Sequence, residues 1–164
     1  MREKVVSERR FQGVELVGQI VAHERFLRCE FVGCVADGCS FGGCTFEECS
    51  FVGCRVADPR SQNSFLRACD FEGCELVGVD WSLWWPEDRG GSALAGVRSC
   101  RLEQNAFDGL NLRGRPLRKA ACVQAALMRA TCAIATCAAA TFMARALRTA
   151  ACSGRTSRAP AATA

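Results

Sequence analysis

The chain has 164 residues, a net charge of +4 and an apolar fraction of 49%, which fits one domain and is enough to bury a core. No run of eighteen apolar residues exists to span a bilayer, and the opening M-R-E-K-V-V-S-E is too charged for a secretory signal, so a cytoplasmic protein is expected. The charge is divided: residues 1–112 hold 12 basic and 17 acidic residues, whereas residues 113–164 hold 9 basic residues and no acid.

Residues 1–8 read as a polar lead-in. From F-Q-G-V-E-L-V-G onward a large apolar residue returns every fifth position: Phe11, Leu16, Val21, Phe26, Phe31, Ala36, Phe41, Phe46, Phe51, Val56, Leu66, Phe71, Leu76 and Trp81, with only Ser61 out of type. The pattern is densest at Cys29–Val56, where C-E-F-V-G, C-V-A-D-G, C-S-F-G-G, C-T-F-E-E, C-S-F-V-G and C-R-V-A-D follow without a gap. Such a repeat decides the architecture before any local reading. A period of five fits neither a helix, with apolar spacings of three and four, nor a lone strand, which alternates every two.

It fits a chain that turns a corner every five residues. The first and third residues of each unit point inward, the second and fourth outward, and the fifth takes the corner, where glycine adopts positive φ without steric cost. Four units close a square coil, and coils stack like strands at about 4.8 Å. The predicted core is a column of Phe31, Phe41, Phe46, Phe51, Phe71 and Leu76 flanked by Cys29, Cys34, Cys39, Cys44 and Cys49. Glu47, one step outward from Phe46, is expected to cost under about 0.5 kcal/mol when truncated.

Two stretches interrupt the repeat. A-D-P-R-S-Q-N-S at 57–64 keeps the count of five, so it is either one irregular side of a coil or a small projecting loop. W-W-P-E-D-R-G-G-S at 84–92 shifts the register by one residue and reads as an insertion loop. The units from Arg113 keep the period but change to Ala first and Cys, Leu or Phe third, with no corner glycine from Arg115 until Gly154. A helix there would scatter its apolar residues around its surface, which favours continued coils over 120–152. Residues 153–164 are too small and polar to pack and are expected to be disordered.

The cysteines do not look like ligands. Nine fall on the first position of a unit and Cys122, Cys132, Cys137 and Cys152 on the third, so all thirteen should point inward as small buried hydrophobes. Zinc sites favour close C-x-x-C pairs, not a uniform spacing of five. The single histidine, His23, has no nucleophile to serve and the glycines form no phosphate loop, so no enzyme, metal or cofactor is expected.

The repeat resembles the pentapeptide-repeat family, with a small residue first, Leu or Phe third and often Gly fifth. That resemblance implies an all-β fold, a right-handed quadrilateral β-helix, here over residues 1–119. C-R-V-A-D-P-R-S-Q (54–62) is similar to the first projecting loop of Qnr-type quinolone-resistance proteins, and G-V-D-W followed later by F-D-G-L-N-L-R is similar to the immunity-protein pattern. This implies a DNA-shaped rod that binds a type II topoisomerase, DNA gyrase or topoisomerase IV, and shields it from inhibitors, without binding nucleic acid itself. The implied contact residues are Asp58, Arg60, Ser61 and Gln62 in the first stretch, with Trp84, Trp85, Glu87 and Asp88 in the second break as further candidates. The family dimerises through a C-terminal module that the tail here does not resemble.

Two alternatives stand beside this. One is a scaffold for another protein. The other is a frameshifted product: Ala-Thr-Cys-Ala, read one frame over in GC-rich codons, becomes Asp-Leu-Arg, so the gene should encode D-L or D-F units past Ser157 in the shifted frame if the tail arose that way.

Overall fold

The structure is a computed structural model that describes residues 4–84, 94–107 and 110 throughout, and the backbone of five short strands between Leu117 and Cys152. The chain winds into square coils of four strands each, and every strand pairs in parallel with the strand one coil away. The first face comprises Lys4–Ser7, Glu24–Leu27, Thr45–Glu47 and Phe65–Arg67. The second runs through Arg10–Gln12, Glu30–Val32, Ser50–Val52, Cys69–Glu72, Leu94–Arg98 and Leu117–Arg118. The third contains Glu15–Val17, Val35–Asp37, Arg55–Ala57, Glu75–Val77, Arg101–Glu103, Ala121–Val123 and Thr141–Met143. The fourth holds Ile20–Ala22, Ser40–Gly42 and Arg60–Gln62.

Register puts like positions on top of one another. Phe11, Phe31, Phe51 and Phe71 stack along the second face, and Phe26 over Phe46 along the first. The rings of Phe31 and Phe51 lie 4.9 Å apart at 7°, and those of Phe51 and Phe71 4.7 Å apart at 6°, so the coil spacing is also an aromatic stacking distance. The corners hold positive φ throughout, with φ of 61° at Gly73 and 50° at Ala68. Corner amides donate between coils, as Gly53 N does to Glu72 O at 2.8 Å.

The stretch 57–64 is a side of a coil and not a projecting loop. Arg60–Gln62 pairs with Ser40–Gly42, and Arg60 N donates to Cys39 O at 2.8 Å. Ser61 is out of type because Trp84, which follows the short 3-10 turn Trp81–Leu83, packs over its coil. Ser61 Oγ bonds Ser64 O at 3.1 Å and Leu83 O at 3.2 Å, and Trp84 reaches Phe41 with ring centroids 5.4 Å apart. A large side chain at 61 would compete with that indole.

The second break lengthens one coil from 20 to 26 residues, so Leu76 pairs with Leu102 and Phe71 with Val97. Residues 85–93 lie outside the described residues. A bulge absorbs the odd residue: Cys69 faces Leu94 while Asp70 faces Gly96, and a Cβ at Gly96 would stand 2.8 Å from Asp70 Oδ1. Asp80 caps the 3-10 turn through Ser82 N at 3.0 Å, and Trp81 Nε1 donates to Asn105 Oδ1 at 2.9 Å.

Beyond Arg113 the register of 20 continues where backbone is described. Leu102 pairs with Cys122 and Cys122 with Phe142 on the third face, and Cys132 pairs with Cys152. The remainder of 120–152, and the tail 153–164, lie outside the described residues.

The core is not the solid column that the repeat suggests. Phe46, Phe71, Leu76, Cys29, Cys39, Cys44 and Cys49 are buried, but Phe31, Phe41, Phe51 and Cys34 are only partly so. They line an axial cavity of about 680 Å³. The first two faces project mostly phenylalanines and the fourth projects Phe41, whereas Ala36 and Val56 on the third face and Ser61 on the fourth are smaller than the rings across the axis.

Candidate interaction faces

On the first three faces outward residues 20 apart stand one coil apart, and many pair by charge. Lys4 meets Glu24 at 3.2 Å, Arg10 meets Glu30 at 3.5 Å, Arg55 meets Glu75 at 3.7 Å, and the corner pair Glu8 and Arg28 closes to 3.0 Å. Glu47 is clamped by Arg25 at 2.7 Å and Arg67 at 3.2 Å, with only 13% of its side chain exposed. It is therefore not a free outward carboxylate, and its truncation would remove the acceptor that two guanidinium groups share. The acids alternate in sign with arginines along the rod instead of forming unbroken negative rows.

The fourth face differs. Its outward residues are Ile20, Ala22, Ser40, Gly42, Arg60 and Gln62, a flat strip with one charge, and among the described residues Arg60 has no ion-pair partner. Ile20 is 80% exposed, and Gly42 has only the Ala22 Cβ within van der Waals reach of its missing side chain, at 3.9 Å. Asp58 stands at the corner where this face meets the third, with φ at 44° and its carboxylate lying over Gly78, where a side chain would collide with it. Gly78 thus seats Asp58.

The expected contact residues separate on inspection. Asp58, Arg60 and Gln62 are exposed together along one coil. Ser61 turns its hydroxyl inward to backbone carbonyls, and Trp84 is 5% exposed against Phe41, so neither presents a surface to a partner. Trp85, Glu87 and Asp88 lie outside the described residues. Ile20, Ala22, Ser40 and Gly42 were not singled out by the repeat, although positions 20, 40, 60 and 22, 42, 62 carry a single charge, a signal visible only once the coil is known to take four units.

The thiols serve the backbone. Cys49 Sγ donates to Phe26 O at 3.4 Å and Cys69 Sγ to Phe46 O at 3.3 Å, each reaching one coil back, and the same bond recurs at Cys39, Cys44, Cys54 and Cys74. Asn105 takes this role at its own position, with Nδ2 on Leu76 O at 2.7 Å. Hydrogen bonding to Cys49, and then burial, hold the Cys69 thiol well above its ordinary range, and burial raises Cys34. Among the described residues no group of three or more His, Cys, Asp or Glu side chains is placed to hold a metal ion, and no helix is long and apolar enough to cross a membrane.

No family model matches the chain, and no curated protein matches it. Solved structures do. HetL from the cyanobacterium Nostoc, a pentapeptide-repeat protein involved in heterocyst differentiation regulation, superposes with a TM-score of 0.55 at 13% identity, over 80% of this chain and 65% of HetL. The chain has the pentapeptide-repeat fold. Looser similarity extends to trypsin-treated QnrB1, a plasmid-mediated fluoroquinolone resistance protein (TM-score 0.47, 16% identity, 86% of this chain and 78% of that one). Rfr23 from the cyanobacterium Cyanothece is a further such neighbour (TM-score 0.43, 12% identity, 77% and 82%). This pentapeptide-repeat solenoid spans just under two thirds of HetL.

Proposed function

We propose that the chain is a protein-binding rod whose fourth face, with the corner at Asp58, docks a protein partner. The observation that carries this is the contrast between faces: three are laced by ion pairs between coils, while the fourth is a flat, charge-poor strip beside an exposed Ile20, on which Arg60 has no ion-pair partner among the described residues. Interfaces favour apolar centres with few charges and a well-placed arginine, whereas a surface serving solubility alone would need no such division. The sequence resemblance of residues 54–62 to Qnr-type proteins makes a type II topoisomerase, DNA gyrase or topoisomerase IV, the partner to test first. The alternating charges favour contact through this face and corner over imitation of a DNA phosphate backbone, because duplex DNA carries about one charge per 1.7 Å without alternation.

The test is gyrase supercoiling with and without a quinolone in the presence of the purified chain, beside an Arg60→Glu, Asp58→Arg double variant. The reading expects the wild-type chain to change supercoiling or inhibition and the variant to lose at least about tenfold in potency, as removal of a central interface arginine does. No effect of the wild-type chain on gyrase or topoisomerase IV removes the topoisomerase reading. A partner captured equally well by the double variant removes the fourth face.

A further inference from the structure

One row of thiols differs from the others. Cys34, Cys54 and Cys74 stand one coil apart where the second face turns into the third, and Arg55 N donates to Cys34 O at 2.9 Å, which holds the first two in register. Among the nine described cysteines only Cys34 and Cys54 line the axial cavity. Cys34 is half-buried, whereas the rest are buried, and Cys39, Cys44 and Cys69 are 0% exposed.

The void beside Cys34 and Cys54 decides what this row can do. In-register residues of stacked coils have Cα atoms about 4.8 Å apart, within the range of about 4.4–6.8 Å that a disulfide spans. Their Cβ atoms run parallel at the same spacing and must close to about 4.5 Å or less, so both side chains have to tilt. A packed interior resists that tilt. The cavity, about 680 Å³ in volume, leaves room for it at Cys34 and Cys54 and at no other described cysteine.

The two sulfurs also differ in chemistry. Hydrogen bonds from the thiols of Cys74 and, more weakly, Cys34 lower Cys54 below its ordinary value, while burial raises Cys34. Cys54 is therefore the sulfur that ionises first, and Cys34 keeps its proton. We propose that Cys54 and Cys34 form an oxidation site for a small hydroperoxide, closed as a disulfide between adjacent coils. The Cys54 thiolate attacks the outer oxygen of the hydroperoxide and breaks the O–O bond, leaving a sulfenic acid and an alcohol that takes up the proton Cys54 gave up. The Cys34 sulfur then attacks the Cys54 sulfur, the S–O bond breaks, and the hydroxyl leaves as water with the Cys34 proton. Two thiols lose two electrons in all, and one hydroperoxide is reduced to an alcohol and water. The bond staples the second coil to the third, and it does not depend on what the fourth face binds.

Hydrogen peroxide, in equimolar amount to the full native chain, is the probe. After free thiols are blocked and the chain is cleaved after glutamate, mass spectrometry should find fragments 31–47 and 49–72 joined through Cys34 and Cys54. That link should form at least about tenfold faster than any other described cysteine is oxidised, and dithiothreitol should reverse it. Cys34→Ser should stop at the sulfenic acid, trapped on Cys54 by dimedone, and Cys54→Ser should leave Cys34 reduced. No link in the folded wild-type chain, or oxidation spread evenly over the described cysteines, overturns the site. A link from Cys54 to Cys74 overturns the assignment of Cys34, and sulfenic acid on Cys34 in Cys54→Ser at the wild-type rate overturns Cys54 as the attacking sulfur.

Discussion

Corner residues obey the backbone before their own preference. Glu8, His23, Arg28, Glu48, Asp58, Asn63, Ala68, Ser99 and Gln104 all hold φ between 44° and 56°, in the region that glycine occupies at Gly33, Gly53 and Gly73. Nothing else crowds a side chain at Gly73, so Gly73→Ala isolates backbone strain and should cost about 1 kcal/mol, while Ala68→Gly should stabilise by up to about the same amount. Denaturant midpoints of the two variants check this, and shifts of the same sign would contradict it. Inside the coil, Phe46→Ala should cost about 3 kcal/mol or more, because Phe46 stacks on Phe26 at 4.9 Å and holds Phe41 and Phe31 edge-on. Glu15→Ala, on an exposed carboxylate with no ion-pair partner among the described residues, should stay within about 0.5 kcal/mol. Glu47→Ala should fall between them, at roughly 1 to 2 kcal/mol, because two arginines lose their shared partner. Equal losses at 15, 46 and 47 would refute the inward and outward assignments.

Along each face the element is a ladder in which side chains repeat as regularly as backbone bonds. A cysteine that donates to the carbonyl one coil back contributes a weak bond and a small apolar surface, and its thiol must stay protonated to do either. The hydrogen bond shared by Cys49 and Cys69 raises Cys69 and lowers Cys49, so the contributions of that pair oppose each other. Burial raises the folded pKa of Cys34 above the ordinary 9.0, so at that site the folded chain keeps a proton that the unfolded chain releases. By linkage that stabilisation is complete below pH 9 and is lost as pH rises above it. Urea midpoints should therefore fall as pH rises above about 9, and Cys34→Ala should flatten part of that fall. A water-soluble thiol reagent should label Cys29, Cys39, Cys44, Cys49 and Cys69 slowly in the native chain and all of them after unfolding, with Cys34, half-buried on the cavity, reacting first. Fast native labelling at Cys49 or Cys69 would contradict a thiol-lined interior.

At the scale of the whole molecule, the coil was legible because one period governs three residue types at once: glycine at the corner, an aromatic or aliphatic residue inside, and cysteine before it. What escaped a linear reading depends on residues a coil or more apart. Ser61 and Trp84 share one space though 23 positions separate them, Ala36 and Val56 leave a channel only because phenylalanines stand on the opposite faces, and the fourth face emerges only when positions are compared at intervals of 20. The pattern of backbone donors states the architecture most directly. Amides at Ser50, Gly53, Arg55, Asp58, Arg60 and Phe65 donate across coils to carbonyls at 2.8 to 3.0 Å, alternating by two and three before the last step of five. Native-state hydrogen exchange resolved by residue should show protected amides recurring with a period of five from Glu30 to Gly78. Contiguous protection with no five-residue period, or no protection across Glu30 to Gly78, would contradict the stacked square coil.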